Sequence, residues 1–275
     1  MLLLATVLGA ALLAVDATQA PAGNGPLQAP AEGAAEEAEI AEEPAGGTGV
    51  SPVELIPRLE LRQEYSKLVG GVSIHETTAE VDIQFLRRIL LRYQVPALLM
   101  ETPAGQVSGI GDLQVTLIGI IASNARAVGA LIAGTVLDTA TQPALGAGKQ
   151  QLVLGAGAAY KPYRWWLAYG VAQEQFSVGG NSARPDVNQL ATDFGSVLFG
   201  KQYNWLKVDL NTTVDFPGRS VGRVYVLGEV GSLVIGRVGL FARLGTQLVG
   251  PRLVDYQMAA GVRYLFRLET SRPAP

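Results

Sequence analysis

The chain lacks cysteine and has almost no histidine. Among its 275 residues there is no Cys and a single His, His75. A disulfide framework, a thiolate nucleophile and a cysteine or histidine metal cluster are therefore excluded. The glycine-lysine stretch LGAGKQQ (145–151) has Gln150 where a phosphate-binding loop needs Ser or Thr. We expect no metal, no cofactor and no nucleic acid as a partner.

Charge and long apolar runs are also scarce. Charged residues make up only 16% of the chain, and no run of eighteen apolar residues follows the N-terminus. A helical membrane protein is therefore not expected, because a spanning helix needs about 20 such residues. All 21 Lys and Arg lie after residue 51, whereas seven of the 24 acids lie before it. The whole chain is acidic, but the region after residue 51 carries a net charge of about +4, from 21 bases and the remaining 17 acids.

The N-terminal part differs from the rest in composition. The stretch MLLLATVLGAALLAV is apolar and is followed by small residues, which predicts a signal peptide over 1–22. The next residues are rich in Ala, Gly, Pro and Glu and contain no aromatic side chain. They cannot bury enough apolar surface to offset their ordering entropy, so we expect a disordered acidic tether over 23–52. The remainder, 53–270, is the expected folded domain.

Apolar and polar residues alternate with period two throughout that domain. In VGLFARLGTQL (238–248), Val238, Leu240 and Leu244 fall on one face, while Arg243 and Gln247 fall on the other. The same alternation predicts strands at 56–66, 77–86, 89–101, 110–122, 125–138, 149–160, 163–177, 188–200, 203–215, 221–232, 236–248 and 256–268.

Strand length and connection length favour a membrane barrel over a soluble sheet. Soluble strands usually have about five or six residues, whereas a tilted membrane strand needs about nine to eleven. Short turns alternate with longer connections near 67–76, 102–109, 139–148, 178–187, 216–220 and 249–255, as in outer-membrane barrels. We expect an all-β fold: a transmembrane antiparallel up-and-down barrel of twelve strands in the outer membrane of a Gram-negative bacterium. The tether would then lie in the periplasm.

Proline and the aromatic residues add two expectations. Pro96 lacks a ladder donor, so either the third strand bends there or the strand count is wrong at this point. The aromatic residues of YKPYRWW (160–166) and KQYNW (201–205) cluster at two short turns. Both an interfacial girdle and ordinary core packing would produce such clusters, and the girdle is the favoured interpretation.

Ionic side chains should face the lumen if the apolar face meets lipid. The projected inward set also includes Glu60 and Glu80. The residues that we expect to line the pore are Arg58, Arg62, Glu64, Asp82, Arg88, Arg92, Asp112, Asp193, Lys207, Asp209, Arg223, Glu229, Arg237, Arg243 and Arg263. Because an isolated buried charge is very costly, these groups must either pair in a closed plug or line a water-filled path.

Three stretches carry a family resemblance: SGIGDLQVTL (108–117), VLDTATQPALGAGKQQLVLGAGAAY (136–160) and SVGGN (177–181). With them the chain, over roughly 55–268, resembles the outer-membrane proteins grouped under the meta-pathway of phenol degradation. That family has exported barrels with a Gly-x-Gly-Asp strand opening, a Pro-Thr-Gly loop leading to Gly-x-Gly-Lys, and a Gly-Gly-Asn loop. Here LDTATQPALGAGK departs from the Pro-Thr-Gly form. The resemblance implies a transporter or channel for small compounds, including aromatic or hydrophobic ones.

These observations predict a passive outer-membrane channel for small solutes, in contact with membrane lipids, and not an enzyme. Arg88, Arg92, Arg237, Arg243 and Arg263 form the basic side of the expected lumen. One alternative is a lipid-modifying barrel enzyme that uses His75, with Ser73 and Glu76 nearby. The other is a closed structural barrel whose acidic arm binds a periplasmic partner.

Overall fold

The computed structural model describes residues 50–51, 55–200, 203–216 and 221–266, and within these ranges the chain is built from β-strands. The strands are β1 Arg58–Leu68, β2 Ser73–Leu86, β3 Ile89–Thr102, β4 Gly105–Ile110, β5 Leu113–Ser123, β6 Ala127–Leu137, β7 Lys149–Tyr163, β8 Trp166–Gly180, β9 Asn188–Phe199, β10 Asn204–Asp215, β11 Val221–Ile235, β12 Val238–Val249 and β13 Val254–Leu265. Among the described residues, no helix is both long and apolar enough to cross a bilayer.

The strands close into a single antiparallel barrel. Each consecutive pair from β5 to β13 is hydrogen-bonded, and β1 pairs with β2 on one side and with β13 on the other. The closing ladder runs from Arg58 opposite Leu265 to Leu68 opposite Val254. Among the described strands, closure leaves only the short β4 paired on a single side. Pairing of the strands around the ring is what a sheet in hydrocarbon requires.

Thirteen strand segments form twelve positions around the barrel. The first part of β3 pairs with β5 and its last part pairs with β4, so β4 and β5 are one interrupted strand. The interruption, at residues 111–112, lies beside Pro96, whose carbonyl accepts a 2.9 Å bond from the Gly111 amide. The predicted count of twelve is confirmed. Pro96 has no backbone N–H to donate to the neighbouring strand. It is tolerated because that strand is interrupted at the position where the bond would otherwise form.

The two ends of the barrel differ. At one end, called the terminal end, β1 begins, β13 ends, and tight turns lie at 87–88, 124–126, 164–165 and 236–237. At the other, called the loop end, the connections include 69–72, 103–104, 138–148, 181–187 and 250–253. Several of these are shorter than predicted because the hairpin ladders continue past the expected strand ends. Gly70 and Gly71 turn the first hairpin with φ angles of 87° and 81°, which favour glycine.

Burial alternates along the strands as the period-two pattern predicts. Leu240 is 48% exposed, whereas Arg263 on the adjacent strand is 4% exposed. Val208 and Val262 are exposed in the same way, and Asp209 is buried. The outer surface is therefore apolar and the interior ionic, an inversion that suits a lipid-covered barrel.

The ends of the chain are only partly described. The predicted signal peptide 1–22 and most of the predicted tether 23–52 lie outside the described residues, as do residues 267–275. Two residues that the prediction placed in the tether, Val50 and Ser51, are buried against the barrel interior.

Candidate pore

A layer of ionised side chains lies inside the half of the barrel nearer the terminal end. We call it the ion-pair band, and it comprises Arg58, Glu60, Glu80, Asp82, Arg92, Lys207, Asp209, Glu229, Arg243 and Arg263. Each residue occupies an inward position of its strand. The band exists because alternation brings the same face of β1–β3 and β10–β13 toward one axis.

Two arginines and two carboxylates interlock on β1, β2 and β3. Arg58 Nη2 lies 2.6 Å from Glu80 Oε1, and its Nε lies 3.2 Å from Asp82 Oδ2. Arg92 donates to both oxygens of Asp82 at 2.8 Å each. Gln94 Nε2 donates to the other oxygen of Glu80 at 2.7 Å. The fork-to-fork geometry fixes these side chains in one arrangement.

Glu60 links the two edges that close the barrel. Arg263 on β13 donates to Glu60 Oε2 on β1 through Nε at 2.8 Å and Nη2 at 2.7 Å. The Arg263 guanidinium also lies over two rings, 5.2 Å from the Phe241 centroid and 5.9 Å from that of Trp205. Arg62 contacts Glu60 at 3.3 Å and approaches Glu64 at 3.9 Å.

Glu229 anchors the opposite part of the band. Arg243 Nη2 lies 2.6 Å from Glu229 Oε2, and Trp205 Nε1 donates to Glu229 Oε1 at 2.9 Å. Trp205 is buried. Its expected place in the interfacial girdle is therefore wrong, because it shares the inward phase of Lys207 and Asp209. Trp205, Tyr169 and Phe241 are interior residues that a charge-based search missed, and extending the alternation to aromatic residues would have found them.

Asp209 and Asp193 complete this side. Lys207 Nζ lies 3.0 Å from Asp209 Oδ2, and the Tyr169 hydroxyl donates to Asp209 Oδ1. Asp193, on β9, is half-buried within electrostatic range of Asp209, Lys207 and Arg243. Its Oδ1 is buried without a hydrogen-bond partner among the described residues.

The carboxylates of the band are tightly packed against their partners. Glu60 and Glu229 are each 2% exposed and Asp82 is 1% exposed, so their side chains touch almost no solvent-accessible space. Next to the band, toward the terminal end, lies an apolar cluster that includes Leu90, Val197, Leu167 and Val50.

Amide side chains line the interior nearer the loop end. Gln189 Nε2 donates to Gln175 Oε1 at 2.9 Å, and Gln175 donates in turn to Gln151. These three residues lie on the adjacent strands β7, β8 and β9. This wall is uncharged and rich in hydrogen-bonding groups, in contrast to the ion-pair band.

Asp112 holds a loop instead of lying free in the lumen. Its carboxylate accepts backbone N–H groups of Thr139 at 3.3 Å, Ala140 at 3.1 Å and Ala147 at 2.8 Å. These donors all lie in or beside the 138–148 loop. A Cβ on Gly146 would lie 2.6 Å from Asp112 Oδ1, so glycine is needed at this close approach. Asp112 was predicted as pore-lining, and its observed contacts are structural.

The three stretches behind the family resemblance meet at the loop end. Asp112 of the first holds the loop of the second through the bonds just described. The Asn181 amide of the third donates to the Gly148 carbonyl at 2.9 Å. Lys149 Nζ then pairs with Asp186 at 2.7 Å. These short motifs are separated in the sequence, but in the structure they form one contiguous loop cluster.

The remaining predicted pore residues occupy other positions. Arg223 pairs with Asp215 in a half-buried contact, and Glu64 is half-buried near Arg62. Arg88 and Arg237 are exposed in terminal-end turns. Of the five arginines expected on one basic side, the structure brings Arg92, Arg243 and Arg263 into the band and leaves Arg88 and Arg237 at the rim.

Exposed aromatic rings cluster at part of the terminal end. Tyr163 and Trp165 stack at 5.4 Å between ring centroids, and Tyr160 and Tyr203 are also exposed. Trp166 lies 6.4 Å from Trp165 and is half-buried. Apart from Trp205, the predicted aromatic residues therefore lie where a membrane interface would meet this end.

His75 lies on the outer face near the loop end. Its ring is 4.9 Å from that of Tyr65. Ser73 Oγ accepts bonds from Lys67 Nζ at 3.1 Å and from the Tyr65 hydroxyl at 3.5 Å. In the part of the chain that the structure describes, no group of three or more His, Cys, Asp or Glu residues is arranged to hold a metal ion.

Comparison with known proteins shows the architecture. No protein-family profile and no curated protein matches the chain. Among solved structures, the COG4313 outer membrane channel from Pseudomonas putida F1 is similar, with a TM-score of 0.67 and 11% identity over 80% of this chain and 99% of that one. The fold is that of an outer-membrane β-barrel.

Two porins share the barrel at lower similarity. The NanC porin has a TM-score of 0.57 and 9% identity over 75% of this chain and 98% of its own. The KdgM porin has a TM-score of 0.53 and 8% identity over 76% of this chain and 99% of its own. At such identities the likeness establishes fold alone. The resemblance to the phenol meta-pathway family therefore remains a prediction.

Proposed function

We propose that the chain is a passive channel for small solutes in the outer membrane of a Gram-negative bacterium. The observation that carries this proposal is the inverted barrel: a closed ring of twelve strands with an apolar outer surface and an ionic, hydrogen-bonding interior. The similar solved structures are described as an outer membrane channel and as porins, which supports the same function.

The two ends suggest the orientation. Short turns face the periplasm in outer-membrane barrels and longer loops face outward. The terminal end, with its tight turns, would therefore be periplasmic, and the residues before Val50 would lie in that compartment. Lipids would cover the apolar face, and the exposed rings of Tyr163 and Trp165 would meet the interface.

The interior suggests the order of contacts along the path. A solute entering at the loop end would first meet the amide wall of Gln151, Gln175 and Gln189, and then the ion-pair band. The buried rings of Trp205 and Phe241 lie beside the band and pack against Arg263. The resemblance to phenol-degradation proteins favours small aromatic or hydrophobic compounds as the solutes.

Single-channel recording tests the proposal. The full chain, refolded and inserted into planar bilayers, should show a small conductance, because the band constricts the lumen. Replacing both members of the Arg243 and Glu229 pair by Ser removes bulk without changing net charge, and conductance should rise severalfold. The exposed Arg252 and Asp255 pair, 3.1 Å apart in the loop-end region, provides the matched control. Its double Ser variant should conduct like the wild type.

The outcomes separate a channel from the alternatives. If neither the wild type nor the Arg243→Ser/Glu229→Ser variant conducts, while both show the heat-modifiable migration of a folded barrel, the channel proposal is wrong and the closed structural barrel is favoured. The proposal gives His75 no catalytic role. His75→Ala should therefore leave conductance unchanged.

A further inference from the structure

A cavity opens at the terminal end of the barrel. Its volume is 670 Å³, within the range of about 300–1,000 Å³ typical of small-molecule sites. Ser51, Leu55 and Ile56 border it where the chain approaches β1, and the turns at 87–88 and 124–126 form its other sides. The ion-pair band is not part of its lining.

The inner surface of this cavity is apolar. Leu55, Ile56, Ile120, Ala159 and Leu167 contribute to it. Leu167 and Ala159 belong to the buried cluster below the band, and Leu55 and Ile120 pack against that cluster. The cavity therefore continues the interior of the barrel, and its floor suits a hydrocarbon or aromatic group.

The mouth of the cavity is basic. Arg87, Arg88, Arg126 and Lys161 line it, and no acidic side chain lies among the described lining residues. The three arginines are exposed, so their guanidinium groups remain available to a ligand. Three exposed arginines around one opening attract anions and raise their local concentration.

The backbone holds two of these cations in place. Asn124 Oδ1 accepts the amides of Arg126 at 2.8 Å and Ala127 at 2.7 Å. The Lys161 amide donates to the Arg126 carbonyl at 2.7 Å. The turn that carries Arg126 is therefore joined to the strand that carries Lys161, and the spacing of the two backbones is set before any ligand arrives.

We propose that this cavity binds a small amphipathic anion, with its carboxylate, sulfonate or phosphate at the basic mouth and its apolar body on the floor. The proposal deepens the channel function and rests on it, because it makes the cavity the periplasmic exit site. The same chemistry could come from a soluble aromatic or aliphatic acid or from the head group of an anionic lipid.

Calorimetric titration of the full chain in phosphatidylcholine nanodiscs tests the site, with 4-butylbenzoate as the probe and neutral 4-butylbenzamide as its uncharged match. The acid should bind more tightly than the amide, and its affinity should fall as salt is raised. Arg88→Gln/Arg126→Gln should weaken binding of the acid about tenfold, because two charge-assisted contacts are lost. Arg164→Gln, an exposed arginine in a turn at the same end that does not line the cavity, should change it less than about twofold.

Each outcome bears on the inference. Equal affinity for the acid and the amide, or wild-type affinity in the Arg88→Gln/Arg126→Gln variant, would overturn it. If phosphatidylglycerol added to the nanodiscs competes with the probe, the site is supported and its occupant is a lipid head group. If it does not compete, a soluble anion is the ligand. Wild-type conductance together with absent binding would refute the anion site while leaving the channel intact.

Discussion

Asp82 is the most buried carboxylate of the ion-pair band, and neutralising it should destabilise the barrel. It is almost inaccessible to solvent, accepts two bonds of 2.8 Å from Arg92, and lies 3.2 Å from Arg58 Nε. Asp82→Asn preserves the shape of the side chain and removes its charge. The buried guanidinium group of Arg58 and the half-buried one of Arg92 then lose a shared counter-charge.

The size of the effect follows from the remaining contacts. Removing one partner of a buried ion pair costs about 3–5 kcal/mol. Glu80 still contacts Arg58 at 2.6 Å and Arg92 at 3.3 Å, so part of the negative charge that balances the two arginines remains. We therefore expect Asp82→Asn to lower the free energy of unfolding by about 3 kcal/mol, at the lower end of that range.

Urea unfolding in phospholipid vesicles, followed by tryptophan fluorescence, measures this free energy. Asp255→Asn is the matched control, because its pair with Arg252 is largely exposed and should contribute less than about 1 kcal/mol. The double variant Asp82→Asn/Arg92→Gln should lose less than the sum of its single variants, since the two residues share one contact. If Asp82→Asn unfolds at the wild-type urea concentration, the ion pairs of Asp82 are hydrated and the assignment of a buried, tightly paired band is wrong.

Two further predictions concern the loop and the outer face. Asp112→Asn weakens the acceptor that three loop amides share, so hydrogen exchange within 138–148 should quicken by about tenfold. Exposed Asp138→Asn should not change it, and equal exchange in both variants would refute the anchoring role. Leu244→Arg places a charge on the apolar outer face and should cost about 2–4 kcal/mol of unfolding free energy in vesicles. Leu253→Arg, in a loop-end connection, should cost less than about 1 kcal/mol, and similar losses in both would contradict the lipid-facing assignment.

Most strands could be predicted because their signal is local. Period-two alternation sustained over ten or more residues locates β7 to β13 to within a few positions. The start of the predicted 110–122 strand was wrong, because Ile110 ends β4 and β5 begins only at Leu113. The reason is non-local: Thr139 and Thr141 of a distant loop bond to Leu113 and Ile110 at the break. No pattern within the strand reports those contacts.

The candidate pore was predicted in part. The inward phase of Arg58, Lys207, Glu229 and their neighbours follows from alternation, and the structure places them in one band. Alternation does not predict that Arg88 and Arg237 lie at the rim. Their positions depend on where the adjacent strands end, and sequence patterns locate strand ends only to within a few residues. The basic cavity was missed because its residues come from separate turns and from the segment before β1.

Alternation along the chain is sufficient to decide which side chains face lipid and which face the axis, because successive residues of an extended strand point to opposite sides. It cannot decide whether the interior is open. That depends on which inward residues meet across the closed ring, such as Glu60 and Arg263, which are 203 positions apart. Only closure of the barrel and the register of its ladders bring such groups within hydrogen-bond distance, and their pairing decides how much of the lumen they occupy.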